Sequence, residues 1–275
     1  ALRRGSPHAR CREPRLPARN QIHDRNETMT RSELQLVRSL SAKRGRSEHG
    51  LFVAGGAKLI GELRRSDLRI RRIFATEGLF EGPEVECVTE KEMERLSLLK
   101  TPSNSLALVE IPRYRLDAAH VGQRLTLALD DVQNPGNLGT IIRLADWFGI
   151  GEILCSPATA DCFNPKVVQA TMGAILRVRV HYVELAPLLA QAAARGVPVY
   201  GTFLGGENLY DTRLGRGGII VMGNEGRGGR PDVAQAVTRK LFIPPFPADR
   251  RASESLNVAM ATGIVCAEFR RRGIE

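Results

Sequence analysis

The chain has 275 residues, of which 40 are Lys or Arg and 30 are Asp or Glu, giving a formal net charge of +10 with histidine neutral. That length suits two domains of ordinary size, and the positive excess favours a polyanionic partner through counterion release, with nucleic acid foremost. No apolar run approaches the roughly 18 residues of a membrane span, and Cys11, Cys87, Cys155, Cys162 and Cys266 are scattered without a C-x-x-C pair. An integral membrane protein, a disulfide framework and a zinc site are therefore excluded, and a soluble protein of the reducing cytoplasm is expected. With aromatic residues at only 5%, phosphate contact rather than base stacking should be the main grip on a nucleic acid. His8, His23, His49, His120 and His181 are equally dispersed, so no metal is expected.

Residues 1–28 are rich in Arg and Pro and carry no apolar period, and they read as a disordered basic extension. Met29 stands where patterned sequence begins, so a remnant upstream of the true start is a simpler account than an RNA-binding arm. Glu13, Asp24 and Glu27 interrupt the run of arginines that an organelle transit peptide keeps free of acids. From Ser32 to Leu40 apolar residues recur at helical spacing, and a basic turn, Ser41 to Arg46, leads to a short strand, Leu51 to Val53. A helix (Lys58 to Arg65), strands at Ile70 to Ala75 and Val85 to Val88, and a helix (Glu90 to Leu99) complete a small α/β module over 29–112. Residues 113–122 mix Pro, Arg, Asp and Gly without period and suit a linker.

Over 123–275 the alternation is stronger. Strands are expected at Leu125 to Leu129, Glu152 to Cys155, Arg177 to Val180, Pro198 to Phe203, Gly218 to Met222 and Lys240 to Ile243. Helices are expected at Leu138 to Phe148, Pro165 to Thr171, Glu184 to Ala194, Asp232 to Val237 and Glu254 to Arg271. Such a pattern specifies an α/β domain with a parallel sheet, in which ligands bind beyond the carboxyl ends of strands. The segments after Leu129, Met222 and Ile243 are therefore where chemistry belongs.

The first of these, Asp130 to Arg143, sets amides, glycines and an arginine around a helix start. Asn137 can cap the helix and Arg143 lies in its early turns, an arrangement able to hold an anion. A well-capped turn with a surface arginine is the plain alternative. Its Gly-x-x-Gly spacing is not the G-x-G-x-x-G of a dinucleotide-binding oxidoreductase. The second, Gly223-Asn224-Glu225-Gly226-Arg227-Gly228-Gly229-Arg230, could wrap a small molecule with its main chain while Arg227 or Arg230 meets phosphate. The third runs from Ile243-Pro244 through a stiff, basic loop to Ser253-Glu254-Ser255-Leu256-Asn257-Val258, with Asn257 a polar residue in an apolar pattern.

Together, Asn134-x-x-Asn137-x-Gly139-x-x-x-Arg143, Gly223-Asn224-Glu225-Gly226 and Ile243-Pro244 followed by Glu254-Ser255-Leu256-Asn257-Val258 resemble the three motifs of the SpoU (TrmH-like) RNA 2′-O-ribose methyltransferases of the SPOUT superfamily. The resemblance implies a deep C-terminal trefoil knot, a homodimer, S-adenosylmethionine as cofactor, and RNA as substrate. It implies Arg143 as the principal catalytic residue, supported by Asn137, Glu225, Ser255 and Asn257. Thr202, Leu204, Gly223, Asn224, Gly226, Ile243 and Leu256 would line the cofactor pocket. The front module is similar to the family's ribosomal-protein-like substrate-binding domain, which favours large-subunit ribosomal RNA over transfer RNA. Lys43, Arg44, Arg46, Arg227 and Arg230 are the candidate RNA contacts. The competing class is a non-catalytic RNA-binding ribosome-assembly factor on the same fold, which need not bind S-adenosylmethionine.

Overall fold

The computed structural model describes residues 29–99, 101–224, 228–247 and 255–272; the segment 1–28 lies outside the described residues. Helix α1 (Arg31–Ser39) opens with a reciprocal capping box between Thr30 and Glu33 and buries Leu34 and Val37. The expected basic turn is instead a helix, α2 (Lys43–His49), closed by left-handed Gly50. No apolar period announces α2, because what it buries is Gly45 and Arg46. A Cβ on Gly45 would lie 2.2 Å from the Ser39 carbonyl oxygen, so only glycine permits this packing of α2 on α1.

Strand β1 (Leu51–Gly55), α3 (Ala57–Leu63), β2 (Ile70–Ala75), β3 (Val85–Cys87), α4 (Glu90–Leu96) and β4 (Ser105–Glu110) complete the front unit. Its four-stranded sheet has the order β1-β4-β2-β3. Strand β4, absent from the sequence reading, is a central strand, antiparallel to both β1 and β2. It is buried along nearly its whole length and shows no in-out alternation, so period alone could not mark it.

The second unit comprises β5 (Leu125–Leu129), α5 (Pro135–Trp147), β6 (Glu152–Cys155), α6 (Pro165–Ala170), β7 (Arg179–Tyr182), α7 (Leu185–Ala194), β8 (Val199–Asn208), β9 (Gly218–Met222), α8 (Pro231–Gln235), β10 (Arg239–Phe242) and α9 (Val258–Arg272). Its six strands run β10-β8-β9-β5-β6-β7 and pair in parallel throughout. Strands β5 and β9, buried at every position, form the middle, as a sheet covered on both faces requires. The register between β10 and β8 jumps from Lys240↔Gly201 to Leu241↔Glu207. Residues 202–206 therefore leave the ladder as an excursion from β8.

The two units share one continuous core, in which Phe52 and Ile60 join Leu138 and Val167. Phe52 packs on Phe163 with ring centroids 4.8 Å apart. Arg177 donates to both Asp146 and Glu62 across the junction. Arg46, only 2% exposed, donates to the Leu40 and Ser41 carbonyls and, through Nε and Nη2 at 2.9 and 2.5 Å, to Asp161 Oδ2.

Candidate active site

Three segments meet at the carboxyl ends of β5, β9 and β10. Asn134, not Asn137, caps α5: its Oδ1 accepts from the main-chain N–H groups of Gly136 and Asn137, and Pro135 fills the first helical position. Asn137, freed from that task, accepts a 3.1 Å hydrogen bond at Oδ1 from Asn257 Nδ2. Asn257 does not lie buried within a helix begun at Glu254. It is exposed at the start of α9, where its Oδ1 accepts from the N–H groups of Ala259 and Met260. A bond spanning 120 residues of chain thus joins the first motif to the third.

Arg143 is exposed on α5, with no hydrogen bond or ion pair to the described residues. Gly136, Thr140, Arg143 and Trp147 fall on one exposed stripe of that helix, as seven- and four-residue spacings dictate. Gly139 faces α6. A Cβ there would lie 2.4 Å from Ala170 Cβ, so this glycine serves helix packing.

After β9 the chain turns tightly, Asn224 and Gly228 exchanging main-chain hydrogen bonds of 3.1 and 2.9 Å. Gly223 fits because it has no side chain: a Cβ would sit 2.5 Å from Gly229 N. Glu225, Gly226 and Arg227 lie outside the described residues, as do Ser253 and Glu254. Thr202 lies at the root of the β8 excursion beside Val221 and Met222, while Leu204 at its outer part is 75% exposed. Ile243 is half-buried just past β10, and Ser255 and Leu256 are exposed ahead of α9.

One expected RNA contact needs correction, and another is partly engaged within the protein. Arg46 is buried and spent on Asp161 and two carbonyls, because α2 folds inward where a solvated turn was expected. Arg230 is half-exposed, its Nε donating to Asp130 Oδ1 at 3.0 Å. Partial burial works against the Arg230 charge, but the carboxylates of Asp130, Asp232 and Glu184 together hold its pKa above the ordinary arginine value. Lys43 and Arg44 remain exposed, with the Lys43 ammonium 5.7 Å from the centre of the Tyr182 ring. The buried thiols are chemically quiet: burial pushes Cys162 up to about 12 and Cys155 well above the ordinary value, so both stay protonated near neutrality. Sequence reasoning missed Asp130, Asp131 and Asp161, all of which orient loops; a carboxylate directly after a buried strand was the available signal for the first two.

Comparison with known proteins settles the family. Residues 124–267 match the model of the SpoU rRNA methylase family, and residues 32–107 match that of the MRM3-like substrate binding domain. The chain belongs to the SpoU rRNA methylase family. It is 28% identical over 240 residues to the 23S rRNA (guanosine(2553)-2′-O)-methyltransferase RlmP of Bacillus subtilis, covering 85% of this chain and 94% of that one. A solved structure from Porphyromonas gingivalis, described as an RNA methyltransferase of the TrmH family, is 38% identical with a TM-score of 0.81, covering 90% of this chain and all of that one. An rRNA methyltransferase from Sinorhizobium meliloti, solved with S-adenosylmethionine bound, is 29% identical with a TM-score of 0.76, over 86% and 94% of the two chains.

Proposed function

We propose that this protein methylates a ribose 2′-hydroxyl of large-subunit ribosomal RNA, with S-adenosylmethionine as methyl donor. The observation that carries this reading is the Asn137–Asn257 hydrogen bond, which brings together the first and third motifs, the first of which carries the exposed Arg143. The matched substrate-binding domain and the ribosomal RNA enzymes among its relatives support the choice of RNA.

When bound, S-adenosylmethionine supplies an electrophilic sulfonium methyl group. Thr202, Leu204, Gly223, Gly226, Ile243 and Leu256 would hold it by main-chain and apolar contact, whereas the Asn224 side chain shapes the turn. A ribose hydroxyl is a weak nucleophile that must lose its proton as it attacks. Arg143, fixed to a substrate phosphate, orients the hydroxyl and stabilises the developing alkoxide. Asn137 and Asn257 hold the helix starts on which this depends, with Glu225 and Ser255 as further support.

The front unit, 29–112, presents Lys43 and Arg44 to the RNA, and the unit over 123–275 carries the chemistry. Membership of the family supports reading that unit as a deep trefoil knot. A homodimer fits the exposed apolar groups of two packed helices, Trp147 on α5 at 84% exposure and Met260 on α9 at 64%. A second copy would cover these groups and set Arg143, one turn from Trp147 on the same exposed stripe of α5, beside the dimer seam.

The test is transfer of labelled methyl groups to ribosomal and transfer RNA, with mapping of alkali-resistant dinucleotides. Label in ribosomal RNA is expected; label only in transfer RNA would overturn the substrate, and no cofactor binding would favour an assembly factor. Arg143→Ala should keep cofactor binding and, being exposed, change stability by less than about 0.5 kcal/mol, while abolishing transfer.

A further inference from the structure

We infer that Asp130 and Arg230 are a positioning pair that fastens the 223–230 turn to the end of β5 and thereby sets affinity for S-adenosylmethionine rather than for RNA. The inference rests on the reading above, in which that turn holds the cofactor. Asp130 follows β5 directly and is fully buried, at 0% exposure. A carboxylate at that depth is tolerated only when paired and hydrogen-bonded. Arg230 supplies both needs, its main-chain N–H donating to Oδ2 at 2.7 Å and its Nε to Oδ1 at 3.0 Å.

The next residue provides a second fastening. Asp131 has φ +59, a left-handed backbone that non-glycine residues seldom adopt. The N–H of Asp131 donates to Ser156 Oγ at 2.9 Å, and its carbonyl accepts from Asn224 Nδ2 at 2.8 Å. The two arms of the turn, Asn224 and Arg230, are therefore tied to the two consecutive residues that follow β5. Between those ties the turn is closed by the Asn224–Gly228 exchange and by the contact of Gly223 with Gly229. The described ends of the turn, 223–224 and 228–230, are thus held against the end of β5, through an Arg230 whose main-chain N–H and Nε both donate to Asp130.

The test compares Arg230→Met, Arg230→Lys, Asn224→Ala and Asp131→Gly in the full chain. S-adenosylmethionine affinity is measured by calorimetry, and RNA affinity separately across a salt series. Arg230→Met should weaken cofactor binding at least tenfold with RNA affinity and salt slope unchanged, and Arg230→Lys, which keeps the charge, should recover most of the loss. Asn224→Ala should weaken cofactor binding by a smaller factor, while Asp131→Gly, which keeps the carbonyl and tolerates positive φ, should leave it intact. Unchanged cofactor affinity in both Arg230→Met and Asn224→Ala would overturn the inference. So would a salt slope shallower by about one with cofactor binding intact, the signature of a lost phosphate contact. Should Arg230→Met fail to fold, Arg230→Lys and Asn224→Ala decide the matter alone. Failure of the unaltered protein to bind S-adenosylmethionine would instead refute the underlying functional reading.

Discussion

Replacing Arg46 by Met should cost stability and leave RNA binding alone, the reverse of what its place in a basic cluster suggests. The substitution keeps an unbranched side chain but removes the partner of Asp161, whose side chain is 16% exposed. Breaking a buried pair by removing one member costs about 3–5 kcal/mol, and the residual access of Asp161 to water argues for the lower end. The Leu40 and Ser41 carbonyls lose their shared donor as well, which adds about 1 kcal/mol. A total near 4 kcal/mol corresponds to a melting temperature lower by roughly 8–16 °C for a chain of this size. Calorimetric melting of Arg46→Met, Asp161→Asn and the double variant would measure it, and the double variant should lose clearly less than the sum. A loss below about 1 kcal/mol, or strict additivity, would refute the clamp. A shallower salt dependence of RNA binding in a still-folded Arg46→Met would return Arg46 to the RNA surface.

Lys43→Ala together with Arg44→Ala removes the two cations of α2 that remain exposed, and should lower the RNA salt slope by about one to two with little change in melting. If the proposed homodimer forms through α5, Trp147→Glu should leave a monomer by sedimentation; as Trp147 is the sole tryptophan, its emission in the unaltered protein should shift to the blue as concentration rises. The hydrogen bond from Arg271, helped by Arg272, holds the Glu268 carboxyl at about 2 against its partial burial. Because that value is depressed, its contribution is present above the ordinary carboxylate value of 4.5 and is lost as pH falls toward about 2. Glu268→Gln should therefore lower the melting temperature at pH 7 and flatten its fall between pH 4.5 and pH 2.

The catalytic unit was largely legible because its strands are short apolar runs separated by amphipathic helices. β5, β6 and β9 fall where that pattern puts them. Departures occur where polar groups rather than apolar period decide the structure. Helix α5 begins three residues earlier than the apolar pattern, since Asn134 and Pro135 form a cap and first turn without apolar residues. Helix α9 begins four residues later, because Asn257 takes the capping role expected of the serines before it. Helix α2 was missed altogether, being held by an ion pair to a loop 115 residues distant.

The candidate site divides in the same way. Motif residues are recognisable because the chemistry demands particular side chains at fixed spacing, and Asn137, Arg143 and Asn257 could be named from the sequence. What a charged residue faces is a different kind of fact. Arg44 and Arg46 are two residues apart on one helix, about 200° around its axis, so exposing one buries the other once α2 packs. Asp130 and Asp131 are adjacent, yet the left-handed turn at Asp131 sends a side chain of one and a carbonyl of the other to the same distant loop. Positive charge counted along the sequence therefore overstates the RNA-binding surface. A substitution that neutralises a buried arginine should register in melting or cofactor affinity, and one that neutralises Lys43 or Arg44 in salt dependence. That separation is how the two kinds of arginine in this protein can be told apart by experiment.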